Sequence, residues 1–559
     1  MNLLGGVLVL ATWLAVLLVT ASIGLVFVRS CGKLRVHHLL TATWWGLGIV
    51  TLLAYLLAFV VPLGSSSAGV AVLAVTVVLG AVGGFAAIRA GWARPRWSKP
   101  AVALAGTLAM AAVYLSWAAL GPVTHFDAGL YQWAAVQYAG DYPAIPGLAN
   151  LYGPLGYSST EPVLGALLSA TPWNSEGYRL LGGLFVLLLG LEALTRTLSY
   201  PRRAGSAIAL AGTALVFPPM IWMADFWVAS PTPDLPVLVL AIVAAAYLAD
   251  LVTAGRTTNA LPTIVVLAVL LTALRPTAVI LSAALVATAV VVTLARKRTI
   301  VAFPIASAAF LAVAMAVVVI ARDRILSGWL QYPLSVYAFD VPWRAPNPDV
   351  LRQATLGFAR DPENWQEAVT GWAWVGPWLE RLPRQWEPWW LSAALISAVV
   401  VLFAQRSRPA RIRALAVIAA PFGVAGVVWW AISPPSLRFG WGPLFGVTAI
   451  LLGWGVWRAR QQVLAIVVTA TGIAAIAVVA SLTRLDGTTP RETLDWLGMP
   501  YEVVPLPTPS TVEFVTESGL ILRVPTDTDQ CWSVYPLCTP DPRSTLTERG
   551  PGVDHGFVS

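Results

Sequence analysis

Residues 124–159, THFDAGLYQWAAVQYAGDYPAIPGLANLYGPLGYSS, carry the strongest chemical signal in the chain. Asp127 stands just after a long apolar run. Behind it Leu130, Trp133, Ala134, Gln137 and Tyr138 follow in an amphipathic order suited to lying along a membrane surface. A carboxylate at the mouth of a helical bundle is costly to desolvate, so it has either a chemical task or a cationic partner. The task that suits it is to take the proton of an acceptor hydroxyl while a lipid-linked sugar is attacked at its anomeric carbon. Capping of the helix that follows is the plainer alternative, and one residue can serve both.

Such chemistry also needs cations for the departing phosphate. Arg275, in TALRPTA, and Arg438, in SPPSLRFGWG, fall on the same side as Asp127. An arginine at bilayer depth is expensive unless it meets an anion or lines a wet cavity, so phosphate binding competes here with an internal ion pair or a snorkelling side chain. MADFWVASPTPDLP places Asp225 and Asp234 on that side too. If they converge they can hold a hard divalent cation or position an acceptor; otherwise they are loop solubilisers and caps. Metal dependence stays open. His125 either tunes Asp127 or binds substrate, or is an ordinary interfacial histidine. The long stretch 322–387 is rich in tryptophan, most of it suited to the headgroup belt. Tyr332, Asp340, Trp343 and Arg344 form a cluster more polar than anchoring requires and are candidates for cavity lining. No P-loop, dinucleotide fingerprint or nucleophile elbow occurs in a credible context.

The elements that must position these residues are apolar. Of 559 residues 58% are hydrophobic and only 11% charged, with mean hydropathy +0.74, which excludes an ordinary soluble domain. The net charge of +8 would point to nucleic acid in a soluble chain; here its distribution matters more, and no nucleic-acid partner is expected. Fourteen apolar runs, each of roughly 17–25 residues and able to cross a hydrocarbon core as a helix, occupy about 3–28, 37–61, 69–90, 101–121, 177–195, 204–223, 235–252, 259–274, 276–295, 299–321, 388–404, 412–432, 440–457 and 461–481. The eighth and ninth are divided at Arg275-Pro276. Alternate loops and their helix ends hold 20 cations against two acids, Glu192 and Asp250, which puts those loops in the cytoplasm and both termini outside.

The expected fold is therefore an all-α polytopic membrane protein with extracytoplasmic loops and a small C-terminal α/β or β module. Helices 1–4 occupy 1–121, a first large outer loop with interfacial helices 122–176, helices 5–10 177–321, a second outer loop 322–387, helices 11–14 388–481, and the module 482–559. Cys531 and Cys538, in CWSVYPLC, lie on the oxidising side and suit a disulfide, whereas Cys31 is expected to be an inert cytoplasmic thiol.

With these motifs in view, the chain resembles the GT-C superfamily, multipass glycosyltransferases that use polyprenyl-phosphate sugars and include protein O-mannosyltransferases and the aminoarabinose and arabinofuranosyl transferases. FDAGLY at 126–131 matches the placement of the superfamily's acidic residue in its first large outer loop. HFDAGLY, IPGLANLYGPLGYSS, SGWLQYPLSVYAFDVPWR, LRFGWG, DQCWSVYPLCTP and GFVS resemble a bacterial family of GT-C-like membrane proteins. The resemblance implies an inverting glycosyltransferase of the cell membrane. Asp127 would be the base, Arg275 and Arg438 would bind the donor phosphate, and Tyr131 with the other candidates would line the substrate site. The partners would be a polyprenyl-phosphate sugar, an extracytoplasmic acceptor and membrane lipids. One departure is that three further helices precede the acidic loop. A transporter or flippase of lipid-linked saccharide, or a non-catalytic envelope assembly protein, is the alternative.

Overall fold

The computed structural model describes residues 3–28, 33–254, 259–297, 301–404, 409–433, 435–457, 472 and 490–559. Four long helices open the chain, α1 (Leu3–Gly24), α2 (His37–Leu57), α3 (Ser66–Ala90) and α4 (Lys99–Ala119). Three short ones follow, α5 (Trp133–Asp141), α6 (Leu148–Leu151) and α7 (Thr160–Ser169). Next come α8 (Arg179–Ser199), α9 (Ala204–Trp222), the single turn α10 (Ala224–Trp227), α11 (Asp234–Thr253), α12 (Ala260–Leu274), α13 (Val279–Ala295) and α14 (Ala302–Ser327). A hairpin of β1 (Trp329–Gln331) and β2 (Leu334–Ala338) precedes α15 (Asp349–Arg360) and α16 (Val375–Arg381), and α17 (Trp386–Ala404), α18 (Pro409–Ile432) and α19 (Trp441–Val456) complete the bundle.

The first thirteen apolar runs are thus helical, and among the described residues eleven helices are long and apolar enough to cross a membrane. These features fit a multi-pass membrane protein. The run 461–481 (apart from Gly472), Cys31 and several cations of the basic loops lie outside the described residues. Arg275-Pro276 does divide one apolar stretch into two helices. Proline disfavours helical geometry in the residue before it, and Arg275 is extended at φ −143°, ψ 110°. The chain then turns back, so that Ser282 Oγ donates to the Ala268 carbonyl at 2.9 Å and α12 and α13 form a hairpin.

At the centre stands α11, buried from Asp234 to Val252. By contrast α3 shows the surroundings Val70, Leu73, Val77, Val82 and Phe85, an apolar surface of the kind that meets a membrane or another protein. The α4–α8 segment, 120–178, is well packed rather than loose. Tyr138, Ile145, Leu148, Leu151 and Leu155 share one hydrophobic cluster with Leu522, Leu546 and Phe557 of the C-terminal region.

That region is built of strands: β3 (Glu492–Trp496) pairs with β4 (Met499–Val503), β5 (Thr511–Val515) with β6 (Ile521–Pro525), and β7 (Thr547–Glu548) with β8 (Phe557–Val558), all antiparallel. It is a β module among the described residues, and Cys531 and Cys538 are joined in it as a disulfide.

Candidate functional site

The end of the bundle where α4 finishes and α8 begins gathers charged groups from four separate elements. Asp127 closes the α4 exit, just before a π-helical turn over Ala128–Gln132. Such turns occur often at functional sites. The Asp127 side chain makes no capping hydrogen bond, so the capping alternative is not what the carboxylate does here. Instead Oδ2 accepts from Arg438 Nη1 at 2.7 Å.

Arg438 lies on the short turn Leu437–Gly440 that leads into α19, and its Nη1 is also 4.0 Å from Asp234 Oδ2. Asp234 begins α11, where the partial positive charge of the helix start favours a carboxylate. Its other oxygen pairs with Arg275, placed at the α12 C-terminus, where a cation is favoured for the same reason. The result is a chain Asp127–Arg438–Asp234–Arg275 of alternating charge. Between the two guanidinium groups lies the Phe439 ring, 4.7 Å from Arg275 and 4.9 Å from Arg438, which lets like charges share one neighbourhood. Exposure differs among the four: the Asp234 side chain is 1% exposed, Arg275 12%, Asp127 16% and Arg438 26%, so Arg438 is the member most open to an incoming anion.

His125 is buried between them. Its Nδ1 accepts from the Asp127 backbone N–H at 3.2 Å, and its Nε2 is 3.1 Å from Arg438 Nη1. Burial, reinforced by Arg438 and Arg275 against the opposing pull of the aspartates, lowers its pKa to about 4, so the ring is neutral near neutral pH. A neutral imidazole accepts at only one nitrogen, while both of these face donors. Only one of the two contacts can therefore be a hydrogen bond to a ring lone pair. Arg275 Nη1 has no hydrogen-bond partner among the described residues.

The remaining candidates divide. Asp234, read from sequence as a solubiliser or cap unless near Asp127, is the buried bridge of the cluster. Asp225 is beside it but outside the ion-pair chain, accepting from Thr124 Oγ1 at 3.4 Å. Tyr131 follows the π turn's start, its hydroxyl pKa raised by burial and by Asp127. Its ring meets Tyr157 at 5.7 Å, and Tyr157 meets Tyr332 at 6.1 Å, an aromatic file leading from the cluster to the 322–387 segment. Asp340 and Arg344 are exposed, and none of the ion pairs described reaches them. Trp343 is a pin rather than a lining: its Nε1 donates to the Arg324 carbonyl at 3.0 Å, and its own carbonyl accepts from Asn150 Nδ2 at 2.9 Å. No group of three His, Cys, Asp or Glu side chains placed to hold a metal occurs among the described residues.

Two features escaped the sequence. The disulfide hairpin docks on Asp127's own turn: Gln530 Nε2 donates to the Phe126 carbonyl at 2.6 Å, and Trp532 N–H to the Gly129 carbonyl at 3.0 Å. A Cβ at Gly129 would fall 2.3 Å from the Trp532 ring. Gly129→Ala is therefore expected to weaken this docking by about 1–3 kcal/mol, read as faster limited proteolysis of the 505–559 region with bundle helicity unchanged; equal cleavage rates would show that the ring is free to shift.

The second is Glu161 on α7, fully buried, with no hydrogen-bond partner for either oxygen among the described residues and a carboxyl pKa pushed up to about 8 by burial. Because the folded pKa lies above the unfolded one, the unfolded state loses this proton first. Stability should fall as pH rises from about 5 to 8, by on the order of 4 kcal/mol at most. Glu161→Gln should abolish that slope in thermal melts of detergent-purified protein. A wild-type melting temperature independent of pH over that interval would mean that Glu161 is ionised and paired.

Fold and site together define a helical protein, with eleven helices of membrane-crossing length and composition among the described residues and an ion-paired cluster at one end of its bundle. Residues 7–445 match the family model described as Domain of unknown function (DUF8201), and the chain belongs to that family. Comparison with curated proteins and with solved structures gives no match.

Proposed function

We propose that the protein is an inverting glycosyltransferase of GT-C type, moving a sugar from a polyprenyl-phosphate donor to an extracytoplasmic glycan, lipid or protein acceptor. The observation that carries this reading is the chain Asp127–Arg438–Asp234–Arg275, which brings a partly exposed carboxylate and two guanidinium groups together from positions far apart in sequence. The excess of cations in alternate loops supports placing this end of the bundle outside the cytoplasm, and the disulfide beside it suits an oxidising compartment.

In the reaction the acceptor hydroxyl gives its proton to the Asp127 carboxylate as its oxygen attacks the anomeric carbon. The bond from that carbon to the phosphate oxygen breaks, and the electron pair leaves with the phosphate, whose growing charge Arg438 and Arg275 stabilise. Without substrate, Arg438 occupies Asp127. Donor phosphate competes for this guanidinium, and its arrival releases the carboxylate to act as base. Asp234 holds Arg275 and is a positioning residue.

The test is incubation of purified protein with a panel of polyprenyl-phosphate sugars and candidate acceptors, following formation of a new glycosidic bond. Movement of the saccharide across vesicles without bond formation would favour a carrier using the same cluster to recognise phosphate.

A further inference from the structure

The opposite end of the bundle carries a second cationic site. There the loop before α2, the α3–α4 connection and the end of α8 enclose a cavity of about 100 Å³ whose lining includes Arg35, Arg94 and Arg96 and no acidic residue. The cavity is stitched by backbone. Leu34 N–H donates to the Gly91 carbonyl at 2.9 Å, Ala93 N–H to the Leu34 carbonyl at 2.7 Å, and Arg96 N–H to the Leu198 carbonyl at 3.4 Å. Arg35 is held in place, donating to the Ser199 carbonyl and lying 4.7 Å over the Tyr200 ring. Three cations thus surround one small space, and for Arg94 and Arg96 no ion pair is described. Such a site calls for an anion with several acceptor oxygens.

The surface beside it selects the kind of anion. Val78, Val82, Phe85 and Ile88 form an exposed apolar track on α3 that runs to the cavity rim, where Trp92 and Trp97 are 40% and 58% exposed. Tryptophan is enriched where a protein meets lipid headgroups, and basic pockets between membrane helices suit anionic lipid heads. We propose that this cavity binds the phosphate headgroup of an anionic phospholipid, with its acyl chains along α3. The site does not depend on the reaction assigned to the Asp127 cluster.

Native mass spectrometry of the full chain in detergent, titrated with phosphatidylglycerol, phosphatidylcholine or inorganic phosphate, tests this. Wild-type protein should retain phosphatidylglycerol in preference to phosphatidylcholine. The double variant Arg94→Ala/Arg96→Ala should lose that preference by roughly 30-fold, the loss of two basic contacts near a membrane surface. Arg94→Lys/Arg96→Lys, which keeps the charge, should retain most of it, as should the control Arg384→Ala/Arg491→Ala. Equal retention by the Ala variant and wild type, equal loss in the control, or protection by inorganic phosphate without lipid preference would each overturn the proposal.

Discussion

Asp127→Asn is expected to lower sugar transfer by roughly 10²–10⁴-fold, the range for loss of a general base, while folding changes little and donor binding is kept or tightens, because Arg438 loses the carboxylate that competes with the donor phosphate. Asparagine keeps the volume and one acceptor oxygen but cannot take a proton at neutral pH. The ion pair it removes is partly exposed on both sides, so its stability cost should stay small beside the loss of transfer. Arg438 also retains Asp234 Oδ2 at 4.0 Å, so its guanidinium is not left unpaired. A purely structural ion pair predicts the reverse profile, a modest stability loss with transfer unaffected. The measurement is initial rate against donor concentration, alongside a thermal melt. A fall in kcat without a rise in donor KM supports the base; normal turnover removes the assignment.

The parts of this site legible in the sequence were those whose cost is local. Asp127, Arg275 and Arg438 are charges beside apolar runs, and the energy of burying them is apparent without knowing a partner. The same economy made the helices readable: an apolar run of bilayer length has few other places to go, and Arg275-Pro276 breaks its helix by sterics between adjacent residues. Asp234 was under-read because SPTPDLP has the composition of an ordinary capped turn. Its importance comes from Arg275 and Arg438, both remote in sequence. For the cluster Asp340, Trp343 and Arg344, polarity near tryptophans gave no sign that Trp343 joins the α14 end to Asn150. Docking of the disulfide hairpin on Phe126 and Gly129 joins positions some four hundred residues apart, about which periodicity and composition are silent.

The second large effect is expected at the other end of α11. Asp250 there meets Arg196 Nη1 at 2.6 Å, and Arg196 Nε donates to Glu192 at 2.6 Å. Trp44 Nε1 donates to the same glutamate at 3.1 Å, and the Gly205 N–H to Asp250 at 3.1 Å. The Tyr247 ring lies 4.3 Å from the Arg196 guanidinium. The Glu192–Arg196 spacing is visible in sequence as an i,i+4 pair, but Asp250 enters only through packing of α8 on α11. Arg196 and Glu192 are fully buried, so Arg196→Met strands two carboxylates without their cation and should destabilise the fold by about 3–5 kcal/mol, seen as a large loss of monodisperse protein and a lower melting temperature. Adding Glu192→Gln and Asp250→Asn removes the stranded charges while keeping an acceptor oxygen for Trp44 and for the Gly205 N–H, and should recover most of that loss, because the cost of breaking such a network is largely that of an uncompensated buried charge. Absence of recovery would mean that packing of the arginine stem, not charge, carries the effect. One central helix therefore has a carboxylate at each end with opposite consequences. At Asp250 the network is buried, so breaking it should cost folding; at Asp234 it opens through Arg438 onto Asp127, so breaking its exposed end should cost chemistry.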